Sequence, residues 1–177
     1  MEVSVPQLSE DVLILMTDWF RRVRESQQIH YECSNHFARL HLLIGIPTVL
    51  LSTLAGTAVF ASLAKELGAN EKIIVGLISV LAAALASLQT FLSMAKRSDS
   101  HRTIAAKYAA VRRRLEELKT QAPSVEELRS ALAKVRQDMD ALAETAPEVP
   151  ARIKWRVDAR VKRKGFNGVF MLPPEKS

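Results

Sequence analysis

The sequence predicts an all-α membrane protein: a two-span transmembrane helical hairpin continuous with long cytosolic helices that form a helical bundle or coiled coil. Three observations predict it. Six Gly, seven Pro and 6% aromatic residues in 177 positions are too few for the turn-rich, aromatic-rich pattern of a β-sandwich or barrel. Two long uncharged runs occupy the middle of the chain. On either side of them apolar residues recur at alternating spacings of three and four, the period of one helical face.

The first run, residues 41–64, reads HLLIGIPTVLLSTLAGTAVFASLA and carries no formal charge with His41 neutral. At about 1.5 Å per residue it is long enough to cross a hydrocarbon core of about 30 Å with some tilt. The second, residues 73–94, reads IIVGLISVLAAALASLQTFLSM and qualifies in the same way. A soluble chain of this size lacks the amphipathic surface to cover two helices that are apolar all round. The polar stretch before residue 41 does not have the form of a cleavable signal sequence, in which a short basic region leads directly into the apolar core. Residues 65–72, KELGANEK, form a connector short enough to make the spans antiparallel. Arg21, Arg22, Arg24 and Arg39 precede the first span, and Lys96, Arg97, Arg102, Lys107, Arg112, Arg113 and Arg114 follow the second, whereas the connector holds only Lys65 and Lys72. The positive-inside rule then puts the connector outside and both termini in the cytoplasm.

Residues 9–40 are expected to form an amphipathic helix N-capped by Ser9, with Val12, Leu15, Trp19 and Val23 on its apolar face. With neither Pro nor Gly between Asp11 and Leu40, that helix is expected to run into the first span, where Pro47 is the expected bend. Residues 95–122 are expected to leave the second span without interruption and to carry a coupling seam of Ile104, Tyr108, Val111, Leu115 and Leu118. After a break near Pro123, Ser124 and Glu127 make a capping box for a helix over 124–146, with Val125, Leu128, Leu132, Val135, Met139 and Leu142 in register. Pro147 and Pro150 bracket a second break. A basic helix over 151–164 follows, closed by Gly165, and 165–177 form an irregular tail. Seams of this kind are satisfied within one chain, between chains, or both, and a homo-oligomer is expected.

The residues show no catalytic constellation and no cofactor or metal site. His30, His36 and His41 are spaced six and five apart, so no pair shares one helical face as a metal pair at i and i+4 requires, and His101 stands far away in sequence. There is no phosphate-cradling Gly-rich loop, and the single Cys33 has no base beside it, so it reads as a packing thiol. The chain is not expected to be an enzyme. Within the spans, Gly45, Thr48, Ser52 and Gly56 form one stripe of small or hydroxylated residues, and Gly76, Ser79, Ala83, Ser87 and Thr90 form another, with Gln89 the most polar residue nearby. Such stripes serve close helix packing, or line a water-filled path once several hairpins assemble. The absence of Asp, Glu, Lys or Arg inside either span disfavours a proton-coupled transporter or a strongly selective filter. In the last helix Arg152, Lys154, Arg156, Arg160, Lys162, Arg163 and Lys164 surround Ile153, Trp155, Val157 and Val161, a pattern suited to anionic headgroups or to a phosphate ligand. Nucleic acid is disfavoured, since stacking aromatics are scarce.

Trp19, Arg22 and Gln28, the stretch from His30 and Tyr31 to Phe37 and His41, the two-span hairpin, Phe91, and the motif His101-x-x-x-Ala105-x-x-Tyr108 stand in an order that resembles the SLATT family over residues 10–145. Those are bacterial two-transmembrane effector domains associated with nucleotide-second-messenger synthases and nucleotide-sensing domains. The resemblance implies an effector of antiviral, abortive-infection defence that forms a pore or disrupts the inner membrane on a signal. With no nucleotide-binding domain recognisable here, the activating sensor protein or nucleotide signal is expected in trans. The alternative is a membrane-anchored coiled-coil scaffold that docks partners without forming a pore; a constitutive small channel is a further rival.

Overall fold

Uninterrupted helix-forming sequence gives uninterrupted helix: α1 spans Glu10–Ala64, beginning with Glu10 and Asp11 in its first turn, where carboxylates meet the positive end of the helix dipole. The computed structural model describes residues 10–64, 68–121 and 124–164, with the side chains of 63–64 and 161–164 outside the description. The expected Ser9 cap, the break at Pro123, the Gly165 cap, the tail and part of the connector therefore lie outside the described residues. Pro47 sits inside α1, where it cannot donate to the carbonyl of Leu43.

α2 spans Ala69–Leu92 and begins before the uncharged run does. Its start is set by Gly68, whose backbone N–H donates to the Glu71 carboxylate at 2.9 Å and so satisfies a helix-end donor. α3 spans Met94–Gln121, and the expected unbroken passage from the second span into it is not what the structure has. Ser93 adopts the left-handed region with φ 46° and ψ 41°, closing α2 through its N–H to the Gln89 carbonyl at 3.2 Å. Its hydroxyl donates to the Thr90 carbonyl at 3.0 Å, and α3 starts at once, with the Arg97 N–H donating to the Ser93 carbonyl at 3.1 Å. A hydroxylated side chain bonding its own turn lowers the cost of a conformation that otherwise favours glycine.

α4 spans Val125–Thr145 behind the expected capping box: Ser124 N–H donates to Glu127 Oε2 at 3.0 Å, and Glu127 N–H donates to Ser124 Oγ at 3.4 Å. α5 spans Ala151–Lys164, with the Pro150 carbonyl accepting from Ile153 and Lys154. Among the described residues there is no strand.

The chain divides into two compact units: the chain up to Ser34 together with the chain from Ser100 on, and Asn35–Asp99. In the first unit α1, α3 and α4 share one apolar core. Met16, Phe20 and Val23 come from α1, Ile104, Tyr108, Val111 and Leu115 from α3, and Leu128, Val135 and Leu142 from α4. The α3 residues are four members of the expected seam, and Leu118 packs partly buried against them. On α1, Val23 is buried and Val12 and Trp19 pack partly buried against the core as expected, whereas Leu15 is 41% exposed and Met16 and Phe20 take the most inward positions. One residue of offset is 100° of helix, so the choice falls on the face that meets α3 and α4 rather than on the first apolar set of the right period. Arg114 pairs with Asp138 at 2.7 Å across α3 and α4, and Arg160 pairs with Glu32, tying α5 to α1.

Two outcomes are expected. Leu115 is fully buried in the shared core, so Leu115→Ala should destabilise the first unit by about 2–5 kcal/mol, while Leu115→Met should cost less than about 1.5 kcal/mol, read by denaturation in detergent. Ser93→Gly, at a left-handed position, should stabilise by about 1 kcal/mol in the same assay; equal or lower stability would show that the backbone there is not strained.

Candidate functional site

The inward face of α1 continues past Val23 in the same heptad, but the chemistry of its residues changes. Gln27, His30 and Ser34 occupy the next positions at spacings of four, three and four. On α3 the seam likewise extends back from Ile104 to His101, which is 2% exposed. The two registers bring His30 and His101 together, with Nδ1 of one ring 2.9 Å from Nδ1 of the other in a buried contact. The His30 ring also lies nearly parallel to Tyr108, with centroids 5.9 Å apart, and the Tyr108 hydroxyl bonds Ser26. Gln27 Oε1 is buried with no hydrogen-bond partner among the described residues. A polar layer thus interrupts an otherwise apolar seam, in the last turn of α1 and the first of α3 that belong to this unit.

The geometry constrains the protons. A hydrogen bond between two Nδ1 atoms requires one ring to carry its proton there and the other to accept, so with both rings neutral one imidazole is the Nδ1–H tautomer and its partner the Nε2–H tautomer. Protonating the acceptor would set two N–H groups against each other in a dry site. Burial, followed by the charge of His101, pushes His30 from 6.5 down to about 4, and burial likewise lowers His101. Burial raises the Tyr108 hydroxyl, and it pushes the Cys33 thiol up to about 11 with help from the charge of Glu32. Cys33 is therefore a thiol rather than a thiolate, in keeping with a packing role. No group of three or more His, Cys, Asp or Glu that could hold a metal ion occurs among the described residues.

The expected spacing argument was sound for each helix taken singly, since no two histidines pair within α1. It missed the pairing between helices. The signal was present: His30 is seven residues after Val23, and His101 is seven before Tyr108, both heptad-equivalent to apolar seam residues. Of the motif His101, Ala105 and Tyr108, all three are buried.

In the second unit α1 and α2 meet along part of the expected stripes. Gly45 gives room to Gln89, whose Nε2 would lie 3.3 Å from a Cβ built there. Gln89 Nε2 also approaches His41 Nδ1 at 3.5 Å. Thr48 is buried and Ser79 and Gly56 are half-buried, whereas Ser52, Gly76, Ala83, Ser87 and Thr90 are exposed. On α2 the half-buried and buried positions are Val75, Ile78, Ser79, Ala82, Leu85, Gln89 and Leu92, which meet the small-residue stripe at Ser79 and beside it at Gln89. The outward hydroxyls of Ser87 and Thr90 donate to the carbonyls of Ala83 and Ala86, and Thr48 and Ser79 donate to Ile44 and Val75, so each is satisfied by its own helix. An open cleft of about 370 Å³ between His41, Gly45, Val49 and Gln89 is apolar apart from its one amide and one imidazole.

On α5, Arg152, Lys154, Arg156 and Arg160 are exposed, Arg160 in the pair with Glu32. The side chains of Lys162, Arg163 and Lys164 lie outside the described residues.

The imidazole pair makes stability depend on pH. Between 6.5 and about 4 the unfolded chain holds a proton on His30 that the folded chain does not, so stability is full above 6.5 and falls as the pH drops through that window. The loss should reach on the order of 2 kcal/mol by pH 5, still above the range where carboxylates titrate, and His30→Gln should remove at least half of the slope. A thermal-melt series with the same slope in both proteins would show that the pair is not the titrating element.

The sequence profile of the SMODS and SLOG-associating 2TM effector domain family 4 matches residues 13–151. That span takes in the shared core, the imidazole pair, both apolar helices and the start of α5. No curated protein and no solved structure shows significant similarity to the chain. The matched span is most of the chain, and the protein belongs to the SMODS and SLOG-associating two-transmembrane effector domain family 4.

Proposed function

We propose that this protein is the membrane-embedded effector of a bacterial antiviral, abortive-infection defence system, a homo-oligomer that opens a pore in the inner membrane or disrupts it when a sensor protein or nucleotide signal acts on it in trans. The observation that supports this most directly, beside family membership, is where the second unit keeps its apolar side chains. Phe60 is 75% exposed, Leu43 71% and Phe91 85%, and only 6% of each apolar window is buried, the reverse of a soluble core helix. At roughly 25 cal/mol per Å² of apolar surface, leaving such helices in water is far costlier than leaving them in lipid. Both apolar stretches are long enough to cross a bilayer, and the distribution of Lys and Arg favours cytoplasmic termini.

The cytosolic unit supplies the element that a trigger would bias. Its apolar seam is interrupted at the layer of Gln27, His30 and His101, where a buried acceptor lacks a partner among the described residues. An activator shifts the packing of α1 and α3 only if it binds the open arrangement better than the closed one, by at least the free energy separating them. The seam residues Tyr108, Val111, Leu115 and Leu118 transmit that change to the hairpin. No residue takes a catalytic part, and the protein acts by packing and permeation alone.

Expression in bacteria with and without the neighbouring gene products, following membrane potential and dye entry, tests the proposal. Depolarisation should require both the chain and its trigger, and Leu118→Glu should change oligomer size and toxicity together. Toxicity lost with assembly intact would remove the seam from the mechanism. Full function after both spans are replaced by unrelated apolar helices would favour a tethered docking scaffold, and conduction by the purified chain alone would favour a constitutive channel.

A further inference from the structure

The basic helix α5 resolves into two faces of opposite chemistry. Ile153 is 7% exposed and Val157 1%, so the apolar side expected to be available for a membrane is already spent inside the first unit. Trp155 lies two positions from each, about 200° around the helix, and is 77% exposed. Beside it Arg152, Lys154 and Arg156 are exposed, and none of the three makes an ion pair among the described residues. The only acid of the helix, Asp158, is half-buried. α5 is held in place by Arg160 on Glu32, and Glu32 precedes the uncharged run of α1 by nine positions, about 14 Å of helix rise.

A lone outward tryptophan gains nothing from water, and the three cations around it, without an ion pair among the described residues, repel one another. Both costs are relieved at one kind of surface. An indole with its N–H settles at the level of lipid headgroups, and each cation there contributes about 1 kcal/mol against an anionic leaflet. A solvated helix explains the cations but not the tryptophan, and an apolar protein interface would bury three like charges at a desolvation cost that anionic headgroups remove. We propose that the outer face of α5, formed by Trp155, Arg152, Lys154 and Arg156, is a docking surface for the anionic lipid headgroups of the membrane that the hairpin spans. Docked there, α5 clamps the segment of α1 around Glu32 to the leaflet surface through the Arg160 pair. The assignment rests on the membrane reading above.

The test uses the full chain carrying Trp19→Phe, so that Trp155 is its one tryptophan, reconstituted in vesicles of phosphatidylcholine alone or of phosphatidylcholine with phosphatidylglycerol. In the anionic vesicles Trp155 emission should shift to the blue, and its quenching by acrylamide should fall by about twofold or more, an effect reversed by high salt and by R152E/K154E/R156E together. A parallel reading with Trp155→Cys carrying an environment-sensitive dye guards against a folding defect from Trp19→Phe, because the buried Cys33 thiol stays unlabelled. Equal quenching in the two vesicle types would overturn the proposal, as would protection of Trp155 in detergent by ATP without any vesicle, which would make the face a soluble phosphate site. Failure of the membrane reading shows separately, as release of the chain from both vesicle types by alkaline carbonate. An integrated chain whose Trp155 remains water-quenched overturns the α5 assignment alone.

Discussion

An apolar helix surface must be covered, and this chain covers its surfaces by two different means. In the first unit the stripe of Met16, Phe20 and Val23 is closed by α3 and α4, and the core they build leaves Leu115 and Val135 without exposure. In the second unit the two helices touch along a narrow line of Gly45, Thr48, Ala82 and Gln89, and their bulky residues point outward. The outward side chains make the bilayer a structural partner under the proposed function, standing where α4 stands in the other unit. Everything else follows from that division: charged residues flank the apolar runs, the hydroxyls within them bond their own carbonyls, and the seams carry the association.

The layer of His30 and His101 is the point at which the first mode of cover becomes less secure. Apolar seams are stabilised without regard to small displacements, whereas a hydrogen bond between two neutral imidazoles depends on distance, tautomer and charge. A polar layer in a seam costs stability and specifies one register, as polar residues at single seam positions do in coiled coils. Here the layer lies near the end of the first unit on both helices, at His30 of α1 and His101 of α3.

Much of the site was legible once the heptads were extended. The seam from Ile104 to Leu118 and the α4 cap at Ser124 follow from local periodicity and capping chemistry, and both appear where residue spacing puts them. The exposure of Leu15 was not legible, because it shares the helical period of Val12 and Trp19, which pack against the core of Met16, Phe20 and Val23, and only the contacts of α3 and α4 leave it out. The break at Ser93 was not legible either. No glycine or proline announces it, and the serine that takes the left-handed conformation there bonds the Thr90 carbonyl through its hydroxyl.

By itself the sequence determined which segments are helical, which of them are long and apolar enough to cross a membrane, and the family to which the order of motifs points, because these depend on residues near one another along the chain. The tertiary structure alone decided that His30 meets His101, that Ile153 and Val157 are used inward while Trp155 is left out, and that the small-residue stripes lie only partly between α1 and α2. Each of these is a choice among helical faces about 100° apart that local periodicity leaves nearly equal in energy, and only contact with a distant helix breaks the tie.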